Sequence, residues 1–568
     1  MVAGTTPLLI SYSIAWIIDA IVATQQAITI TNIFSNIITL VATYAMFLLL
    51  KEAFSIIHAF LSDHLGDLIK QKTKFLILQK ISLYPTDDLF NTPEITNLMA
   101  LCKKNVEKAD SYVNIVSFFI KGAFSLIPAI AAVFFLEWWI PLLLTITFIP
   151  ICWSKMYFQK CIWEDRKHFS YLYNIMNLNE ECLLLKNYSK EMKLYNMQQY
   201  VLNYWNDSFF QIFYSVNKIR KRGVCTIVLL AIINAVGVAI CFYYVVSNTI
   251  TGKFTVGSLS LLFSIVLQLR GSISTFIYGA GEIIGAKLAL KPLIELLNIE
   301  EPKIAAIISI DDSKSNNLLT IQNGSFNYPG NKNLVIDNIS LNIKTGEKIA
   351  IVGANGSGKT TLVKLICRLH AFSKGNILWQ GQNLNFIEFD KYREQIAALF
   401  QDFAKFPLTV RDNIDVRKRC IIDDLICDSL RQGQLSLLQD KLNCYLSTSI
   451  KDGIELSGGQ WQKLAITRII LDIMKNDKLK LIIFDEPTAA LDPHSEQLVM
   501  KQIFQIPRNK TSIIISHRLA LTRFVDTILV MEKGKIIEQG NHNHLITLKG
   551  IYYTMYTNQA SYYISGDA

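Results

Sequence analysis

Lys348-Ile349-Ala350-Ile351-Val352-Gly353-Ala354-Asn355-Gly356-Ser357-Gly358-Lys359-Thr360-Thr361 decides the character of the C-terminal part of this chain. Its opening is a short apolar run of the kind that forms a parallel strand buried on both faces. The glycines that follow let the backbone curl until successive N–H groups face one point. The helix expected next adds the positive end of its dipole there. Such a loop cradles phosphates. Lys359 is expected to reach the β- and γ-phosphates of a nucleotide, and the Thr360 hydroxyl to bind Mg²⁺. Gly353, Asn355, Gly356, Ser357, Gly358, Lys359, Thr360 and Thr361 are therefore the candidate ATP-binding loop.

Downstream, Leu481-Ile482-Ile483-Phe484-Asp485-Glu486 is a second apolar strand, ending in two acids. Asp485 is the candidate Mg²⁺ ligand and Glu486 the group that polarises an attacking water. An apolar run with two acids says little alone. About 125 residues after a phosphate loop it says much more.

Between these two lies Leu456-Ser457-Gly458-Gly459-Gln460. This pentapeptide, in this order with the other two motifs, resembles the signature of ABC transporters of the exporter type. The resemblance covers nearly the whole chain. It implies that Tyr328, in Phe326-Asn327-Tyr328-Pro329, stacks on adenine, and that Gln401 touches Mg²⁺ and senses the membrane domain. It implies a D-loop at Ala490-Leu491-Asp492, and a switch histidine at His517 that contacts the γ-phosphate. Glu486, His517 and Gln401 are then the catalytic candidates, with Thr360, Gln401 and Asp485 around the metal. In this family the signature serves the other copy's nucleotide. Ser457, Gly459 and Gln460 would thus act on ATP held by a second half-transporter. Because one complete set is present, a homodimer suffices; a heterodimer with a similar half is the alternative.

Upstream of residue 318 the composition changes. The chain of 568 residues is 51% hydrophobic and 18% charged, with a mean hydropathy of +0.29, which points to a membrane protein. Weakly charged apolar stretches give six spans: Met1 to Ile18, Ala20 to Leu50, Ile115 to Leu136, Trp138 to Ser154, Gly223 to Ser247, and Ser258 through Arg270 to Ala280. The turn between the first two falls at Gln25-Gln26 and Thr29 to Ser35. Residues 63–112 hold seven Lys or Arg and residues 158–222 hold ten, whereas the three short alternate connections hold one, Lys253. The positive-inside rule then puts both long loops and both termini in the cytoplasm. The net charge of +10 follows from that topology. No basic cluster on a polar domain points to nucleic acid as a partner. The ten cysteines lack a CxxC pair, against zinc and against a disulfide framework.

The expected architecture is multidomain. An all-α six-helix transmembrane domain (1–299) precedes a linker (300–317) and an α/β P-loop NTPase domain (318–568). Ile69 to Leu83 and Ser189 to Phe210 mix charged and apolar residues at helical spacing, so helices are expected to continue below the membrane. Leu89-Phe90-Asn91-Thr92-Pro93-Glu94-Ile95 resembles the family's first coupling helix, and Ser189 to Asn196 the segment entering the second.

Three features depart from the family pattern. The chain opens almost inside its first span, without the usual amphipathic elbow helix, as a shortened or misassigned start would. Asp472 to Lys480 is expected to be an enlarged surface turn. Ser449-Ile450-Lys451-Asp452-Gly453 replaces the usual glutamate-bearing loop before the signature. For the cargo cavity, Arg270 is the leading candidate, with Asp19, Lys121 and Glu282 behind it. The expected function is ATP-driven export of a peptide, lipid or drug-like cargo across a bacterial inner membrane. A flippase or an ATP-gated regulator is the alternative. Trp461-Gln462-Lys463 resembles bacterial peptide and lantibiotic exporters. No peptidase domain precedes the spans, so leader cleavage is not expected.

Overall fold

A computed structural model describes residues 2–24, 31–107, 109–300, 316–331, 333–419, 421–488 and 491–564. Gln25-Gln26, most of the expected linker and Ala490 lie outside them. The chain divides into two compact units. One comprises Met1–Lys80 and Leu98–Asn298, the other Ile81–Asn97 and Ile299–Ala568.

The first unit is helical. Its long elements are α1 (Val2–Thr24) and α2 (Thr31–Leu83); the short α3 (Asp88–Asn91) and α4 (Pro93–Val106) follow. Next come α5 (Ala109–Leu136), α6 (Trp139–His168), α7 (Ser170–Leu184), α8 (Lys186–Leu194), α9 (Gln198–Ile250) and α10 (Val256–Leu297). Six of these are long and apolar enough to cross a membrane. At 53 residues each, α2 and α9 run about 80 Å. Hydrocarbon needs only about 30 Å, so each extends well beyond it. The amphipathic tail Ile69 to Leu83 is the end of α2. Ser189 to Phe210 is not one helix: α8 stops at Leu194, and Asn196 takes a left-handed φ of 51° before α9 begins.

Close packing in this bundle follows from small and polar residues. A Cβ on Gly122 of α5 would lie 2.7 Å from the Phe276 backbone of α10, so glycine is what lets the two helices touch. One turn on, Ser125 and Ser272 share a buried hydrogen bond of 2.7 Å. Asn234 of α9 donates to Thr147 of α6 at 3.1 Å.

The charged residues of the spans divide in two. Asp19 caps α10, accepting from the Gly257 N–H at 2.7 Å and the Thr255 hydroxyl at 3.0 Å. Glu282 accepts from Gln159 at 3.0 Å. Each of the two thus bridges one helix to another. Arg270 and Lys121 are exposed.

In the second unit, strands and helices alternate. The strands are β1 (Asn317–Phe326), β2 (Ile336–Lys344), β3 (Lys348–Gly353), β4 (Lys374–Trp379), β5 (Gln382–Asn383), β6 (Ile396–Leu399), β7 (Leu481–Asp485), β8 (Thr511–Ile515), β9 (Thr527–Glu532) and β10 (Lys535–Gly540). The helices are α11 (Lys359–Ile366), α12 (Phe389–Arg393), α13 (Val410–Ile414), α14 (Asp423–Gln432), α15 (Gly458–Lys475), α16 (Pro493–Phe504), α17 (His542–Leu548) and α18 (Ile551–Ile564). A four-stranded antiparallel sheet has the order β2-β1-β4-β5. A six-stranded sheet has the order β10-β9-β3-β8-β7-β6, parallel throughout except for β10. Strands β3, β7 and β8 are buried almost entirely, as a sheet covered on both faces requires. One core cluster joins the two sheets around Leu362, Trp379 and Ile513. A second lies on the opposite face, under α15 and α16.

The expected surface turn at Asp472 to Lys480 is corrected by this fold. Helix α15 continues to Lys475, because Ile469, Ile470 and Leu471 still face the core and Asp472 is held by two arginines. Its carboxylate meets Arg417 at 2.9 Å and Arg419 at 3.0 Å. Only Asn476 to Lys480 turns.

Candidate active site

The order β3-β8-β7-β6 brings four strand ends to one edge of the sheet, where open α/β sheets bind ligands. The phosphate loop follows β3. His517 follows β8, Asp485 and Glu486 end β7, and Gln401 follows β6. The register keeps them level: Leu399 pairs with Phe484, Asp485 with Ile515, and Ile351 with Ile515.

In the phosphate loop, Gly358 stands at the N-cap of α11 with φ 100°, a backbone that side-chain-bearing residues rarely adopt. With no side chain capping α11, its first N–H groups are free for an anion. Asn355 and Gly356 are exposed at the loop tip, whereas Ser357 is buried with an unpartnered hydroxyl. Lys359 folds over its own loop, donating to the Gly353 and Ala354 carbonyls at 2.9 Å each. Burial pushes its ammonium pKa down, and Glu486 and Asp485 pull the other way. Thr360, the second residue of α11, lies beside Asp485. Thr361 is 3.2 Å from the Tyr328 hydroxyl, which fixes the aromatic ring against the same helix.

Glu486 is where the catalytic candidates converge. The His517 Nε2 lies 2.8 Å from one carboxylate oxygen, and the Gln401 amide donates to the other at 2.9 Å. The backbone of Glu486 is left-handed, φ 51°, which costs a non-glycine residue about 1 kcal/mol or more. Its N–H donates to the Ile515 carbonyl at 3.0 Å. Gln462 of α15 holds the next turn, donating to the Pro487 carbonyl at 2.8 Å. This brace escaped the sequence reading, where Gln462 stood out only as part of a family likeness.

Asp485 tests whether the site fits a divalent cation. It is 1% exposed, and neither carboxylate oxygen has a hydrogen bond of good geometry, although the Thr360 hydroxyl lies alongside. Burial raises its pKa and Thr360 counters it. Glu486 adds to the rise, while Lys359 opposes. A buried acid with two free oxygens, a neighbouring hydroxyl and an amide nearby is a donor set suited to Mg²⁺.

The signature stands apart from this cluster. Ser457 caps α15, accepting from the Gln460 N–H at 3.3 Å, while the Gln460 side chain accepts from the Ser457 N–H at 2.9 Å. Such a reciprocal capping box fixes the helix start. Ser457 and Gly458 remain exposed, and Gly459 is half-buried. Among the described residues none of Ser457, Gly459 and Gln460 hydrogen-bonds to the phosphate loop. In the D-loop, Asp492 caps α16 through the Ser495 N–H at 2.9 Å. Its contacts with Ser495 hold the carboxyl down at about 2.

Arg468 joins the signature helix to the segment after Gln401. It donates to the Asn413 carbonyl at 2.7 Å, the Asn413 side-chain oxygen at 2.8 Å and the Ala404 carbonyl at 3.0 Å. Burial lowers its pKa to about 10. Nothing in its sequence context marks it out. Arg468→Ala strands three acceptors and is expected to cost about 2–4 kcal/mol, measured as a fall in thermal midpoint with Mg²⁺ and nucleotide absent.

The family profile described as ABC transporter matches residues 336–489. Over its whole length the chain is similar to the subtilin transport ATP-binding protein of Bacillus subtilis: 29% identity over 98% of this chain and 89% of that one. Similarity to the nisin transport ATP-binding protein of Lactococcus lactis subsp. lactis is 31%, over 60% of this chain and 57% of that one. An ATP-dependent lipid A-core flippase of Wigglesworthia glossinidia brevipalpis is 29% identical over 65% of this chain and 63% of the relative. The fold is shared with the structure of a bacterial Atm1-family ABC exporter with ATP bound. That match has a TM-score of 0.76 at 19% identity and covers 98% of this chain and 96% of that one.

Proposed function

We propose that this chain, an ABC transporter of the exporter type carrying its membrane spans and its ATPase domain on one polypeptide, works as a homodimer that exports a peptide. Its spans make it a multi-pass membrane protein, with the ATPase domain on the cytoplasmic side. The observation that carries the ATPase chemistry is the convergence of Gln401 and His517 on Glu486.

In this reading Lys359 and the N–H groups of Gly356 to Thr361 bind the phosphates, and Tyr328 stacks on the adenine. Thr360, Asp485 and Gln401 hold Mg²⁺, which supplies positive charge against the phosphate oxygens. Glu486 orients the attacking water and accepts its proton. His517 holds the Glu486 carboxylate from one side and is within reach of the γ-phosphate once nucleotide binds. Ser457, Gly459 and Gln460 serve the nucleotide of the second copy. Hydrolysis removes the charge that joins the two ATPase domains, so the dimer reopens and the cavity resets.

The peptide reading is favoured because similarity to the subtilin transporter runs through the membrane half as well as the ATPase. Lipid flipping is the competing reading, and one assay separates them. The purified protein in lipid nanodiscs is expected to hydrolyse ATP alone, and faster with one or more of a panel of peptides. Stimulation by lipids of the lipid A type and not by peptides overturns the cargo. Absence of turnover in the single purified chain overturns the homodimer.

A further inference from the structure

The stretch Ile81–Asn97 belongs to the same compact unit as the ATPase domain, and its seat there is made by groups just past the end of α11 and at the end of α12. The Asp87 N–H donates to the Leu369 carbonyl at 2.9 Å. The Arg393 guanidinium donates to the Pro85 carbonyl. Leu89 is 2% exposed. The Asp88 carboxylate is 2.8 Å from Nδ1 of His370 and takes a second bond from the Thr86 hydroxyl at 3.0 Å.

His370 is itself buried, and its ring is wedged among aromatics. It stacks on Phe326, with centroids 5.4 Å apart, and meets Tyr328 edge-on at 5.4 Å. Phe326 and Tyr328 pack on each other at 5.0 Å. The backbone that presents His370 is pinned from behind. Arg368 sits at a left-handed φ of 56°, donates to the Ile387 carbonyl and lies 3.6 Å from the Phe389 ring. One imidazole therefore touches the ring assigned to the purine and the acid that seats a segment continuous with α2.

We propose that His370 is a positioning residue that couples purine stacking on Tyr328 to the seating of the Asp88–Asn91 segment. The assignment rests on the reading of Tyr328 as the adenine platform. It acts through the ring that would carry the base and not through Lys359, so its expected effect is on the base. The Tyr328 hydroxyl bond to Thr361 is the one link to the phosphate loop, and a base-free ligand tests it. Coupling of this kind is reciprocal: what the seated Asp88 does for purine affinity, the purine does for seating.

The test uses the full-length protein in nanodiscs, in a Glu486→Gln background that prevents turnover. Affinity is measured for Mg-ATP and for Mg-tripolyphosphate, which has no base. His370→Phe keeps a ring against Phe326 and Tyr328 but cannot bond Asp88. Asp88→Ala removes the other partner at a more exposed position. Each single variant is expected to weaken ATP binding about fivefold and to leave tripolyphosphate unchanged, and the double variant to weaken it no further. Equal losses for both ligands, additive losses in the double variant, or no loss in Asp88→Ala overturn the proposal. Tyr328→Ala tests the platform separately. If that variant binds ATP as tightly as the parent, the reading of Tyr328 fails whatever His370 does.

Discussion

Glu486→Gln is expected to lower ATP hydrolysis about 10³-fold while leaving ATP affinity and thermal midpoint nearly unchanged. The amide is the same size as the carboxylate. It can accept from Gln401 with its oxygen and donate to His517 with its nitrogen, so both contacts of Glu486 have a counterpart. The left-handed backbone at this position is set by the turn after β7 and by the Ile515 hydrogen bond, neither of which involves the side chain. What disappears is the capacity to take a proton from water. The variant should therefore bind Mg-ATP and, in the proposed homodimer, remain paired. Size-exclusion chromatography of nucleotide-bound protein together with phosphate release measures both sides. If the variant turned over at more than about a tenth of the parental rate, Glu486 would not be the general base. If it bound no ATP, the loss would be one of folding.

The candidate site is legible in the sequence because its parts are motifs with fixed chemistry next to apolar strands. A loop of glycines ending in Lys359 and a strand ending in Asp485-Glu486 each announce both a fold and a function. Strand order is what joins them, and β3-β8-β7-β6 cannot be read from any one segment. The six spans were legible for a similar reason: hydrocarbon imposes length and composition on each one independently. Contacts set by tertiary packing were not. Arg468 and Gln462 lie on a helix whose apolar period is ordinary, and their polar partners are more than 20 residues away in sequence. His370 and Asp88 are separated by 282 positions. An acid in a span suggests a cavity group, yet Asp19 caps α10, a use that depends on where another helix begins. The turn expected at Asp472 to Lys480 rests on the length of chain between Gln460 and Asp485, which says nothing of where α15 ends; Arg417 and Arg419 hold Asp472 within the helix.

Asp485→Asn is expected to change stability and activity in opposite directions. The carboxyl of Asp485 is buried, its two oxygens lack good hydrogen bonds, and its pKa lies above the ordinary value. A folded protein that holds this proton more tightly than the unfolded chain loses stability as pH rises from the unfolded value, about 3.9, through the folded one. Above that range the full cost of an ionised, unpaired acid is present; below about pH 3.9 it vanishes. Asparagine carries no charge to desolvate. Without metal at neutral pH the variant should be more stable than the parent by about 1–2 kcal/mol, and the advantage should shrink on acidification. Adding Mg-ATP should reverse the ranking, because only the parent gains the binding free energy of a cation on a carboxylate. Hydrolysis by the variant should fall at least about 100-fold. Thermal unfolding with and without Mg-ATP at several pH values, beside phosphate release, reads all of this. A carboxylate whose work was structural would lose stability on substitution with or without the metal. An acid kept buried and unpaired for a cation gains it only when the cation is withheld, and that crossing of the two curves would identify Asp485 as the metal ligand.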